Sequence, residues 1–234
     1  MPLTEQDFIF AVIRGDLVAV KQALANGMDV NARGGDPSGQ VKNTALMWAA
    51  AEGHLEIAEL LLSCDANVKA QNANGYTALI FAAEGDRSQI VSLLLDQGAD
   101  ICDRNPYEET VLMIMARNGQ TEAVERLIQM GAEVNATNKI GDTALYLAVE
   151  RGHLYTAQAL INREADVNTA NIGGWTPLMM AAAQGSLEIM TLLLNHGADC
   201  QPQNRWGGTA LSEARKSFRA SRAVELLMHA GATE

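Results

Sequence analysis

Six short apolar runs open with threonine and return at a fixed interval. They are TALMWAA at Thr44, TALIFAA at Thr77, TVLMIMA at Thr110, TALYLAV at Thr143, TPLMMAA at Thr176 and TALSEAR at Thr209, each 33 residues after the last. Beyond each lies a second apolar run: LEIAELLL, SQIVSLLL, TEAVERLI, LYTAQALI, LEIMTLLL and SRAVELLM. Most of these end at a glycine, namely Gly98, Gly131, Gly197 and Gly231. Threonine at an N-cap accepts a hydrogen bond from an orphan amide of the first turn. Pro177 suits the first helical position, and the paired alanines favour helix while letting neighbours approach closely. Glycine after the leucine stripe supplies a left-handed residue that ends the second helix. The pattern predicts an all-α chain of paired short helices with a tight turn between units. The stretch TEQDFIFAVIRGDLVAVKQALANGMDVN reads as a seventh pair, with Thr4 and Asp7 at capping-box spacing.

A fixed period of this length is the mark of a repeat array. The period, the Thr-Pro-Leu-like helix start and the tracts GMDVN (27–31), GAEVN (131–135) and EADVN (164–168) resemble the ankyrin-repeat family over nearly the whole chain. The resemblance implies a solenoid of stacked helix-turn-helix units with β-turn fingers. Its expected organisation is a single domain, 1–234, with an N-terminal capping repeat 1–36, internal repeats 37–201 and a C-terminal capping repeat 202–234. Where the family usually carries histidine, this chain has Met47, Ile80, Met113, Tyr146, Met179 and Ser212. Met179 and the adjacent Met180 are therefore expected to be interior packing residues and not metal ligands. Asp65 and Glu164 replace the helix-ending glycine, a costly exchange in the left-handed region. Ser88 and Thr121 stand where Leu55, Leu154 and Leu187 stand elsewhere, and Met115 replaces a small alanine. Because solenoid stability is close to a sum of repeat and interface terms, 77–130 is expected to be the least stable interior stretch.

The resemblance implies a protein–protein interaction module that binds a partner along a concave face of fingers and first helices. A regulatory inhibitor of a partner enzyme, or a scaffold joining two proteins, would use the same face. Tyr76 and Trp175 stand one residue before a repeat threonine; Tyr107, Ile140 and Trp206 stand three before. Aromatic residues on turns are either binding anchors or a row of packed, stiffened fingers. Asn74, Lys139 and Arg205 share the fingers. Glu84, Arg117, Asn118, Glu150, Arg151 and Gln184 follow the paired small residues and are expected on the same face, where an ordinary solvated surface is the alternative reading. From Gly15 to Gly53 the spacing is 38, so RGGDPSGQVKN (33–43) is a long first finger, a mobile loop or a binding flap. Arg205, Arg215, Lys216, Arg219 and Arg222 against Glu213 make the last repeat basic; a polar cap is the favoured reading and an acidic partner or phosphate the other.

Charge narrows the class. A formal net charge of −11 disfavours nucleic acid, which needs a basic surface, and disfavours an anionic membrane. The acidic N-terminal residues Glu5 and Asp7 do not fit a signal peptide, and no apolar run is long enough to span a bilayer. Cys64, Cys102 and Cys200 are an odd, widely spaced set, which suits a reducing compartment and a cytoplasmic location. His54 and His153 begin second helices in repeats too far apart to share a metal; His196 and His229 precede helix-ending glycines. No zinc, phosphate-loop or nucleophile signature occurs, so the chain is read as a non-enzyme without cofactor, monomeric on its own.

Overall fold

The computed structural model describes residues 4–35, 41–217 and 219–233; residues 36–40 of the long first finger lie outside them. Among the described residues there are fourteen helices and no strand, with one isolated bridge between Arg33 and Thr44. They fall into two compact units, Met1–Tyr107 and Glu108–Glu234.

The first unit holds α1 (Glu5–Ile13), α2 (Leu17–Ala25), α3 (Ala45–Glu52), α4 (Leu55–Ser63), α5 (Ala78–Glu84) and α6 (Ser88–Asp96). Here α1, α3 and α5 stack in one layer while α2, α4 and α6 form a second. The second unit repeats the plan with α7 (Val111–Arg117), α8 (Thr121–Gln129), α9 (Ala144–Glu150), α10 (Leu154–Ile161), α11 (Pro177–Gln184), α12 (Leu187–Asn195), α13 (Ala210–Ala214) and α14 (Ala220–His229). Its odd-numbered helices stack on one another, and so do its even-numbered ones. Alanine makes the tight inner layer possible: Ala49, Ala50, Ala82, Ala83, Ala148, Ala181 and Ala182 are fully buried.

All seven repeat threonines cap the first helix of their pair, each side chain accepting from the amide three residues on. At Thr4 the box is complete, because the Asp7 carboxylate accepts from the Thr4 amide at 3.0 Å. Met179 is buried as its register predicts. Met180 is only half-buried, which corrects its placement in the interior. It lies in the column Phe10, Trp48, Phe81, Ile114, Leu147, Met180 and Glu213, of which Ile114, Leu147 and Glu213 are buried and the others partly or well exposed.

Among the described residues most left-handed positions fall in three columns of the repeat. Asp65 and Glu164 have φ 65° and 64°, the conformation of Gly27, Gly98, Gly131 and Gly197 in the same column. In the turn between paired helices Gly53, Gly119, Gly152 and Gly185 are left-handed, and Asp86 (φ 60°), not the adjacent Gly85, takes that place. In the finger turn Gly75, Gly141, Gly174 and Gly207 share it with Lys42 and Glu108.

Histidines in the paired-helix turn are structural. His54 Nε2 lies 3.1 Å from the carbonyl of Ile13, and His153 Nε2 lies 3.0 Å from that of Arg117, each tying one repeat to the one before. His196 and His229 bond by Nδ1 to carbonyls one turn back in their own helices, those of Leu192 and Glu225. Thr121 has its own partner, the hydroxyl of Thr156 at 2.8 Å, so the lost leucine contact there is exchanged for a hydrogen bond.

Candidate interaction surface

From Thr77 onward the fingers are shaped by an asparagine five residues before each repeat threonine. Asn72 Oδ1 accepts from the amides of Asn74 and Tyr76 at 2.9 and 3.0 Å, and Asn171 Oδ1 from those of Gly173 and Trp175 at 2.9 and 3.1 Å. Asn138 and Asn204 do the same, and Asn105 accepts from Tyr107. A side chain that occupies two backbone donors holds the turn without help from water. The other end of the amide reaches the preceding repeat: Asn72 Nδ2 donates to Asn43 Oδ1 at 2.8 Å and Asn171 Nδ2 to Asp142 Oδ1 at 2.9 Å. Fingers also join through the backbone, Ala73 to Val41 in the first unit, Ile172 to Ile140 and Arg205 to Gly173 in the second. This asparagine column repeats at the same 33-residue interval as the threonines and was legible in QNANGYT, RNPYEET, TNKIGDT, ANIGGWT and QNRWGGT.

The sequence-predicted residues divide by exposure. In the first unit Tyr107 is 67% exposed at a fingertip, and Asn74 and Glu84 are also exposed. Tyr76 is half-buried and stacks on Phe81, ring centroids 5.1 Å apart, so it packs as part of the finger wall. In the second unit the fingertips carry Ile140 (51% exposed), Ile172 (53%) and Trp206 (77%), beside exposed Lys139 and Arg205. Trp175 is half-buried, as is Glu150, while Arg151 is exposed and lies 3.6 Å from the Glu150 carboxylate. Arg117 forms an ion pair with the nearly buried Glu109 and is committed within the unit. Asn118 and Gln184 are half-buried, and Gln184 Nε2 donates to the carbonyl of Glu150 at 2.7 Å. Ile172 is the fingertip residue the sequence reading missed; it sits beside Gly173 in the place where other fingers carry their apolar tip one residue later.

Beneath the fingers of the second unit, Asp142 is buried, and that burial raises its carboxyl above the ordinary aspartate value. Its hydrogen bond from Asn171 opposes the rise, and nearby Glu150 adds to it. Tyr146, in the register of the family histidine, is also buried, and burial together with Asp142 and Glu150 pushes its phenol far up. Through Asn171, which donates to the carboxylate and accepts from the amides of Gly173 and Trp175, Asp142 supports the neighbouring finger. No buried side-chain polar atom among the described residues lacks a partner.

The basic residues of the last repeat do not converge. Arg205 is on a fingertip, Lys216 pairs with buried Glu213 at 2.8 Å, and Arg219 and Arg222 line an open cleft at the start of α14. Among the described residues no group of three or more His, Cys, Asp or Glu is placed to hold a metal. No helix among them is long and apolar enough to cross a membrane.

Comparison with known proteins agrees with this architecture. The human ASB11 ankyrin repeat domain superposes with a TM-score of 0.82 at 24% identity, covering 97% of this chain and 98% of that one. The ankyrin repeat domain of Bcl-3, described as a unique member of the IkappaB protein family, gives a TM-score of 0.75 at 27% identity, covering 94% and 97%. No curated protein matches the sequence. Three copies of the family pattern for ankyrin repeats match residues 8–105, 101–171 and 169–233. With threonine caps, asparagine-locked fingers and paired helices in register throughout, the chain belongs to the ankyrin-repeat family.

Proposed function

We propose that the protein is an interaction module that binds a partner protein through the finger-and-first-helix side of its repeats, the face that is concave in the family. One observation carries this reading. The successive fingers of the second unit lift Ile140, Ile172 and Trp206 into solvent, each more than half exposed. These fingers are held by asparagine hydrogen bonds and backbone bonds to their neighbours, so they hold the apolar tips out instead of folding them inward. Large apolar side chains fixed in water bury favourably against a partner, and tryptophan is enriched among residues that dominate binding energy. Rigid presentation also lowers the ordering cost of association.

The test is capture from the source lysate with wild type and an Ile172→Ser/Trp206→Ser variant whose helical spectrum and melting temperature match wild type. A protein retained by wild type and lost by the variant identifies the partner and the fingertip site. Equal retention by both places the site elsewhere and overturns the assignment.

A further inference from the structure

The first unit differs from the second in what it offers along the same register. Where α7 and α9 bury Ile114 and Leu147 and α11 half-buries Met180, the helices α1, α3 and α5 carry the more accessible Phe10, Trp48 and Phe81. Phe10 is 43% exposed, and Trp48 and Phe81 are half-buried. Two of these rings are fixed. Trp48 Nε1 donates to the carbonyl of Gly34 at 2.7 Å, and Phe81 carries the stacked ring of Tyr76. At the ends of the same helices stand exposed carboxylates, Glu52 on α3 and Glu84 on α5, the latter held by the Asn105 amide at 3.2 Å. Arg14, in the register of Glu52 on α1, marks where this acidic edge stops. Residues 1–107 hold seven Lys and Arg against fourteen Asp and Glu, a net of −7 within the −11 of the chain.

From this juxtaposition of ordered aromatic rings with carboxylates on a strongly acidic unit, we infer that the inner-helix face of the first unit recognises a basic, arginine-bearing segment of the partner protein. Guanidinium is planar, stacks on aromatic faces and pairs with carboxylate through a rigid fork, so it satisfies both halves of the surface at once. The net charge of the unit draws such a segment in, and the rings distinguish arginine from diffuse positive charge. The Ile114, Leu147 and Met180 column lacks aromatic rings and offers no such stacking. The inference rests on the reading of the chain as an interaction module, but it concerns first-helix residues of the first unit and not the fingertips of the second.

The probe is a flexible Gly/Ser peptide carrying several arginines, titrated calorimetrically into the whole chain at physiological salt, with the matching glutamate peptide as control. The expected result is saturable binding of the arginine peptide alone. It weakens roughly two- to fivefold for each ring lost in Trp48→Leu and Phe81→Leu, replacements that copy the aliphatic character of the second unit's column. Glu52→Gln/Glu84→Gln, which alters only exposed side chains, weakens it as well and decides the matter where a ring variant fails to fold. Absence of saturable binding, equal binding of the glutamate peptide, or unchanged affinity in the variants overturns the proposal. Fingertip capture scores the interaction reading separately, so a failed peptide titration with a successful capture removes only this inference.

Discussion

Asn171 donates its side-chain amide to the carboxylate of Asp142 across neighbouring fingers at 2.9 Å, the relationship that Asn72 has with Asn43 in the first unit. Asparagine at 43 supplies the acceptor without a charge; aspartate at 142 supplies it with one, buried, and is raised in pKa mainly by that burial. A carboxyl raised on folding contributes stability fully below its unfolded value and loses it as pH climbs through the folded value. Asp142→Asn is therefore expected to raise stability at neutral pH by about 1 kcal/mol. Its advantage shrinks as the solution is acidified toward the ordinary aspartate range. Urea melts of both proteins from neutral pH downward check this, and a constant difference across the range refutes the role of the charge.

Glycines in two of the left-handed columns differ in what surrounds them. A Cβ at Gly131 meets nothing within 4 Å, so only backbone conformation resists Gly131→Ala. At Gly119 the same atom falls 2.6 Å from the His153 ring, whose Nε2 is engaged with the carbonyl of Arg117. We expect a loss of about 1 kcal/mol for the first and about 2–3 kcal/mol for the second, which adds a steric term and a broken inter-repeat hydrogen bond. Comparable losses in the two variants would show that His153 moves aside freely.

Non-glycine residues in those columns carry the reverse effect. Glu164→Gly is expected to stabilise by up to about 1 kcal/mol and Asp65→Gly by less, since aspartate tolerates the left-handed region better. Asp86 and Glu108, both at φ 60°, fall in the stretch that also lacks leucine at Ser88 and Thr121. Amide exchange is accordingly expected to be fastest, among interior repeats, between residues 77 and 130. Uniform protection along the chain contradicts this.

Arg117 belongs to the fold before it belongs to any binding site. Its removal in Arg117→Met leaves Glu109, 7% exposed, without its guanidinium, an expected loss of about 1–3 kcal/mol. Adding Glu109→Gln removes the charge and is expected to restore most of that stability. A double-mutant cycle measures the coupling, and additive losses would show that the pair contributes nothing.

The sequence alone determined the repeat, its seven helix pairs and their threonine caps, because capping and apolar periodicity are local properties fixed by residues within one turn of each other. It also placed the left-handed strain at Asp65 and Glu164. Tertiary structure decided how far each finger residue is exposed and what it packs against. One residue before threonine, Tyr76 stacks on Phe81 and Trp175 is half-buried; Tyr107 and Trp206, three before, stand at the tips in water. Asp86 and not Gly85 became the left-handed residue because the helix pair keeps its register when glycine does not. Arg117 was drawn out of the solvated row by a carboxylate eight positions earlier in the chain. Each of these outcomes depends on which side chain a neighbouring helix or finger presents, a relationship that periodicity locates in register but whose contacts only packing completes.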